Sequence, residues 1–253
     1  MSNEERIPTN LRTLMILEII GSSDKPLTPT EINAGLGLPK QTVHRLCATL
    51  EVEGFLVREP NGKRLQASSR LKHLASGILF NSRSQLATRQ VLLEVARKVN
   101  ETVNLVIPED DGMMYLDRVE TDWPFRIQLP AGSHVPFHCT ASGKTFLASL
   151  PLAKRKQVVE SQDLTPLTKN TFNDKGAFMT ELSRVAKQGY AVDNEEFMEG
   201  MIAVAVPLKD EKGRYTGALA FHAPTQRMKL QDALRHRQAL LDGAVKLSKT
   251  LFN

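Results

Sequence analysis

Thr28-Pro29-Thr30-Glu31-Ile32-Asn33-Ala34-Gly35-Leu36-Gly37-Leu38-Pro39-Lys40-Gln41-Thr42-Val43-His44-Arg45-Leu46-Cys47-Ala48-Thr49-Leu50 is the stretch whose reading decides the fold. Thr28 as N-cap, Pro29 at the first helical position and Glu31 three residues after the cap predict a capping box opening a short helix. The helix should stop at Gly35-Leu36-Gly37, a tight turn that tolerates little side-chain bulk. Pro39 then starts a second helix. Val43, Leu46, Cys47 and Leu50 recur at helical spacing and face inward. Lys40, Gln41, Thr42, His44 and Arg45 are left pointing outward from its first turns, where they suit phosphates and base edges in a major groove. Gly54 is placed to end this helix.

Working outward, Phe55–Arg58 and Arg64–Ala67 flank Glu59-Pro60-Asn61-Gly62-Lys63, and Asn-Gly is a strong hairpin signal. Lys63 and Arg64 at the tip, with Arg58 on the partner strand, occupy the place where a wing meets a phosphate backbone. Thr28 completes the set of candidate DNA contacts. From Leu38 to Arg64 there are five basic and three acidic residues. That surplus is too small to decide between a nucleic-acid module and a protein-interaction module. The order of capping box, short helix, glycine turn, polar-faced helix and basic hairpin decides for a winged helix-turn-helix that binds duplex DNA. Upstream, Asn10–Ile20 reads as an apolar-faced helix covering the motif.

The chain has 253 residues, 41% hydrophobic and 24% charged, with a net charge of +5. Length predicts two domains and composition an ordinary globular protein. No apolar run spans a bilayer and no signal leader is present, so the expected location is the cytoplasm, with no membrane partner. Eleven basic and eight acidic residues lie before Gln85, against 22 and 20 after it. The excess therefore weights toward the smaller domain, as a nucleic-acid partner would favour. Cys47 and Cys139 fall in different predicted domains and form no CxxC pair, so neither a disulfide nor a zinc site is expected.

We divide the chain into a DNA-binding domain over residues 1–67, a connecting helix over 68–84 and a larger domain over 85–253. Ser68-Ser69 caps the connecting helix, whose stripe of Leu71, Leu74, Ala75, Ile78 and Leu79 predicts packing on a second copy. In the larger domain, helices are expected at Gln85–Asn100, Thr140–Leu150, Leu152–Ser161, Asp174–Gln188 and Met228–Leu251. Strands are expected at Thr102–Ile107, Met113–Glu120, Phe125–Leu129, Ile202–Leu208 and Thr216–His222. The class is therefore α+β, a sheet with helices packed on it.

Enzyme motifs would change this reading. Ala141-Ser142-Gly143-Lys144-Thr145 resembles the end of a phosphate-binding loop, but His138 stands where the required first glycine belongs. No nucleophile elbow, zinc-protease or dinucleotide motif occurs. Asp193, Glu195, Glu196 and Glu199 read as a solvated acidic loop. His138, Cys139 and His222 have no standard metal spacing. The expectation is no catalysis, no metal and no cofactor. A sensor fits better. Gly132–Lys144 joins a strand to a helix whose first turn, Ala141-Ser142-Gly143, leaves room and presents backbone amides, a cradle for an anion. The loop 189–200 could close over it, with Ala203, Ala220 and His222 supplying a wall. Trp123 either lines that pocket or anchors a loop.

The chain resembles the IclR family of bacterial transcriptional regulators over nearly its whole length. Three motifs carry the resemblance: Leu38–Leu46 in the reader helix, Pro136–Lys144, and Gly189-Tyr190-Ala191-Val192-Asp193 through Glu195-Glu196 to Gly200 and Pro207. It implies a winged helix joined by a helix to a GAF-like α/β effector-binding domain. It also implies dimers or tetramers on palindromic operators and small metabolites, often carboxylic or aromatic acids, as effectors. Carried onto matching positions, the effector pocket would involve Ile127, Val135, Ala141, Ser142, Asp193, Glu199, Ala203, Ala220 and His222. This chain departs from the pattern at Ala203, where some members have Cys, at His222, where some have Ser, and at Glu199, where Pro is usual.

Overall fold

A computed structural model describes residues 7–23, 25–60, 62–80, 84–127 and 129–252, with the side chains of 76–80, 84, 85 and 252 left aside. The chain divides into two compact units, Met1–Asn81 and Ser82–Asn253.

The smaller unit runs α1 (Arg12–Gly21), α2 (Pro29–Ala34), α3 (Lys40–Val52), β1 (Leu56–Arg58), β2 (Leu65–Ala67) and α4 (Ser69–Phe80). The capping box forms as the sequence dictates. The Thr28 hydroxyl accepts from the Glu31 amide at 3.2 Å, and the Glu31 carboxylate accepts from the Thr28 amide at 2.7 Å. Between α2 and α3, the Asn33 side chain closes the turn onto the Leu38 backbone. Its amide donates to the Leu38 carbonyl at 2.8 Å, and its carbonyl accepts from the Leu38 amide at 3.0 Å. The turn needs a left-handed residue at Gly37, where φ is +61°. Ile16, Ile32, Val43 and Leu65 are fully buried in the core beneath these helices. The hairpin pairs Leu56 with Ala67 and Arg58 with Leu65, and Leu27 bridges to Leu65 on its other side. Asn61 lies outside the described residues. Ser68 caps α4, accepting from the Leu71 amide at 3.2 Å. Leu74 is exposed. The Ile78 and Leu79 side chains lie outside the described residues, as do residues 81–83 of the predicted connecting segment.

The larger unit is a six-stranded antiparallel sheet with helices on both faces. Its helices are α5 (Ser84–Val99), α6 (Ala141–Ser149), α7 (Leu152–Ser161), α8 (Lys175–Gln188), α9 (Leu230–Arg235) and α10 (Arg237–Phe252). Its strands are β3 (Thr102–Pro108), β4 (Met113–Val119), β5 (His134–Val135), β6 (Ala191–Asn194), β7 (Met201–Lys209) and β8 (Tyr215–Pro224), in the order β5-β4-β3-β8-β7-β6. α5 and α10 cover one face. They meet the sheet closely at Gly243, where an added Cβ would stand 2.7 Å from Val95 and 2.8 Å from Leu219. α6 packs on the opposite face over small residues, with Ala141 and Ala148 against Ala191, Ala205 and Ala220. Covering both faces explains why β8 is buried over nearly its whole length and reads as an apolar run rather than an alternating one.

Three sequence expectations are corrected. No strand forms over the described residues of Phe125–Leu129, Gln128 lying outside them. Arginine side chains take carbonyls there instead of a ladder partner: Arg118 donates to Ile127 at 2.9 Å and Arg227 to Phe125 at 3.2 Å. The edge partner of β4 is the short β5, pairing Met113 with Val135. Residues 191–194, read as part of a loop, form the edge strand β6, and Met228–Leu251 is two helices broken at His236. There the His236 ring stands edge-on to Phe221, 6.0 Å between centroids.

Candidate functional site

On the smaller unit, α3 splits as its periodicity requires. Val43, Cys47 and Leu50 are buried, while Lys40, Gln41, His44 and Arg45 are exposed and Thr42 is half-buried. The side chains of Lys40, Gln41, Thr42, His44, Arg45 and Lys63 make no hydrogen bond or ion pair among the described residues. A groove runs between the start of α2, the α3 face and the hairpin, lined by Thr28, Thr30, His44, Arg58 and Lys63. The structure gives other partners to three predicted contacts. The Thr28 hydroxyl is engaged with Glu31 in the cap. Arg64 is no tip residue. It grips both Glu31 oxygens, at 2.9 and 3.1 Å, and the Pro26 carbonyl at 2.8 Å, tying the hairpin to α2. The Thr28 amide and hydroxyl, and then Arg64, hold the Glu31 carboxyl down to about 2. Arg58 is bidentate to Glu51 of α3, at 2.6 and 2.9 Å. These arginines tie the hairpin to α3 and α2.

On the larger unit, the segment 136–145 builds the start of α6. Thr140 caps it, accepting from the Gly143 amide at 3.1 Å. Gly143 is obligatory, because a Cβ there would stand 2.2 Å from the Phe137 carbonyl oxygen. The Ala141 and Ser142 amides remain without intrahelical partners at the N-terminus, as the geometry of any helix start demands. They border a small cavity of about 30 Å³ between α6 and the sheet. Of the predicted effector residues, Ile127, Ala141, Ser142, Asp193, Ala203, Ala220 and His222 line it together. Two do not. Val135 sits on the edge strand β5 with its side chain in the apolar core beside Phe137, and Glu199 is exposed on the loop after β6. Trp123 does not line the cavity either. Its indole donates to the Asn100 carbonyl at 3.2 Å beneath Arg227, so it anchors the loop.

The acidic segment is not the solvated loop its composition suggests. Asp193 and Glu196 are buried, and the partner that makes this tolerable is Lys144, which has no exposed surface. Its ammonium donates to Glu196 at 2.6 and 2.8 Å and approaches Glu181 at 3.4 Å. Glu181 is also held by Arg184 at 2.8 Å. The lysine of the false phosphate-loop motif thus ties α6 to α8 and to the loop after β6. Asp193 accepts from the Glu196 amide at 2.7 Å. Burial, and then the Glu196 charge, push its carboxyl up to about 7. Burial, with Asp193 and Glu196 nearby, pushes the Cys139 thiol up to about 12, far from a nucleophilic thiolate. His138 is buried and bonded to the Thr165 carbonyl at 3.0 Å. The reading of single residues missed Asn104, Tyr115, Thr140, Phe197 and Met201, which also line the cavity. Asn104 had a signal, as the lone amide in the apolar run Thr102–Ile107.

Comparison with known proteins agrees with both units. Residues 84–249 match the model described as bacterial transcriptional regulator IclR C-terminal, and residues 11–60 match the IclR helix-turn-helix domain. The chain is 38% identical to the probable transcriptional regulator SauR of Cupriavidus necator over 92% of each chain, and 27% identical to the regulator XynR of Escherichia coli over 95% of each. Among solved structures, the Thermotoga maritima IclR protein superposes with a TM-score of 0.64 at 25% identity, covering 97% of this chain and 99% of that one. These relatives are named as regulators, not enzymes. The chain belongs to the IclR family of bacterial transcriptional regulators, with a helix-turn-helix domain and an effector-binding domain.

Proposed function

We propose that this protein binds a palindromic DNA operator as a dimer or dimer of dimers in the cytoplasm and that a small organic acid in the cavity of the larger unit changes that binding. The observation that carries the DNA half is the outer face of α3. Lys40, Gln41, His44 and Arg45 are exposed, polar or basic, and free of partners among the described residues, while Val43, Cys47 and Leu50 bury the opposite face of the helix. Side chains with no partner at home are available to phosphates and base edges. Two such helices in a dimer would enter successive major grooves about 34–36 Å apart. The effector half is supported by the cavity. The free amides of Ala141 and Ser142 favour an anionic group, and Ile127, Ala203 and Ala220 give it apolar walls. A ligand that prefers one arrangement of the protein shifts the population toward it and so changes operator affinity, with the helix α4 as relay.

Fluorescence anisotropy on an operator duplex and on a scrambled duplex tests the DNA contact. Arg45→Ala weakens operator binding by about 1–3 kcal/mol if it reads a base edge. An equal loss on both duplexes makes Arg45 a phosphate contact, and no loss on either removes α3 from the interface. For the cavity, Ser142→Trp abolishes ligand response and leaves operator affinity unchanged.

A further inference from the structure

Two side chains on the sheet wall of the cavity carry buried atoms with no well-formed hydrogen bond among the described residues, although the Ile127 backbone draws on the imidazole. Asn104 of β3 and His222 of β8 are 1% and 7% exposed. The Asn104 amide nitrogen lies 3.1 Å from His222 Nδ1. Asn104 Oδ1 and His222 Nε2 are buried and have no hydrogen-bond partner among the described residues. Both residues line the cavity. They stand on one face of the sheet, because Asn104 pairs with Ala220 and His222 with Ala203. The alanines beside them leave space rather than fill it.

The imidazole is neutral. Burial first, then the Arg118 guanidinium, bring its pKa down to about 4, against the opposing pull of Glu120 and the Ile127 carbonyl. A neutral imidazole has one N–H and one lone pair. If the Asn104 amide donates to Nδ1, the atoms left over are an acceptor, Oδ1, and a donor, Nε2–H. If the amide is turned, its carbonyl accepts from Nδ1–H, leaving an N–H donor and Nε2 as acceptor. Either assignment leaves one donor beside one acceptor. A carboxylate or ketone oxygen can only accept, and an ammonium can only donate. A hydroxyl is the smallest group that does both.

We propose that the effector carries a hydroxyl seated on Asn104 and His222, and that this pair selects hydroxylated small organic acids over the same acids without the hydroxyl. The proposal rests on reading the cavity as the effector site. The anionic end of the ligand faces the start of α6, and the hydroxyl faces the sheet. A site built to bond a hydroxyl rejects the deoxy analogue strongly, because its own polar groups are then left unpaired.

Isothermal titration of the full chain with matched pairs tests this: glycolate and acetate, 3-hydroxypropanoate and propanoate, 3-hydroxybutanoate and butanoate, malate and succinate. The expected result is roughly tenfold or greater preference for the hydroxy acid in at least one pair. In Asn104→Leu/His222→Leu, where both partners become apolar together, the preference disappears while the deoxy acid still binds. If that variant does not fold, the imidazole ¹⁵N resonances of His222 in the unaltered chain report instead, shifting with the hydroxy acid and not with its deoxy partner. Equal affinities, preference for the deoxy acid, preference for a matching primary amide, a preference that survives the double variant, or no binding by any pair overturns the proposal and leaves the two side chains to ordered water. Binding that Ser142→Trp leaves unchanged overturns the reading of the cavity itself.

Discussion

Lys144→Met removes the ammonium that holds the cavity-closing segment and keeps nearly the same volume, so little of its effect comes from an empty space. Lys144 is fully buried, and its closest bonds are to Glu196 at 2.6 and 2.8 Å. Without it, Glu196 keeps one backbone amide, that of Asn194 at 3.3 Å. Glu181 keeps Arg184 and suffers less. Breaking a buried ion pair from one side costs about 3–5 kcal/mol. That is roughly two to four powers of ten in the unfolding equilibrium. The loss depends on pH, with a definite sign. Burial already holds Glu196 above the ordinary carboxylate range, with Lys144 pulling the other way. Removing the lysine raises it further. A carboxyl raised in the folded state contributes its full stability below the unfolded pKa and loses it as pH rises through the folded one. The deficit is therefore small near pH 5 and large near pH 8. Urea denaturation of the full chain, followed through the unfolding of the larger unit at both pH values, measures it. Lys144→Met/Glu196→Gln recovers at least half of the loss at pH 8. A deficit below about 1 kcal/mol at pH 8, or one equal at both pH values, refutes the account of this network.

Asp193→Asn gives the same kind of pH test at the cavity wall. With its carboxyl pushed up to about 7, the protonated form favours the folded state, so this group's contribution falls as pH rises from about 4 through 7, and the amide variant shows a flatter stability profile in thermal melts over that range. Asn33→Ala removes both bonds to Leu38 and destabilises the smaller unit by about 1–3 kcal/mol in urea titration. A change within a few tenths of a kcal/mol would show that Gly37 alone sets the turn. Gly143→Ala forces a Cβ to within 2.2 Å of the Phe137 carbonyl oxygen and yields a larger unit that unfolds well before the unaltered protein, read by circular dichroism.

The winged helix was legible because its signals are local. A capping box, a glycine turn and an inward stripe each act within a few residues, and each appears at its predicted place. The larger unit was legible in its elements and less so in its edges. Ala191-Val192-Asp193-Asn194 is too short for a periodic pattern, so β6 is defined only by its pairing with β7. Phe125–Leu129 has strand-forming residues, but its carbonyls are claimed by Arg118 and Arg227 from distant positions. The charges were misread for the same reason. Glu196 looks solvated until the fold puts it beside Lys144, 52 positions away in sequence. Likewise, Arg58 and Arg64 read as wing cations, yet Glu51 and Glu31 bind them. Of the cavity wall, the residues on α6, β6, β7 and β8 that the family resemblance pointed to stand together. Asn104 and Tyr115 come from strands with no motif, and only the register of β3 beside β8 and of β4 beside β3 puts them there.

The most direct test of the central claim is selection of bound duplexes from a randomised pool by the full chain, repeated with Lys40→Ala/Arg45→Ala. The account predicts that the unaltered protein enriches a two-fold symmetric sequence with half-sites one helical turn, or a multiple of it, apart, and that the variant enriches none. Recovery of the same sequence at the same affinity by the variant would contradict the assignment of α3 as the reading helix.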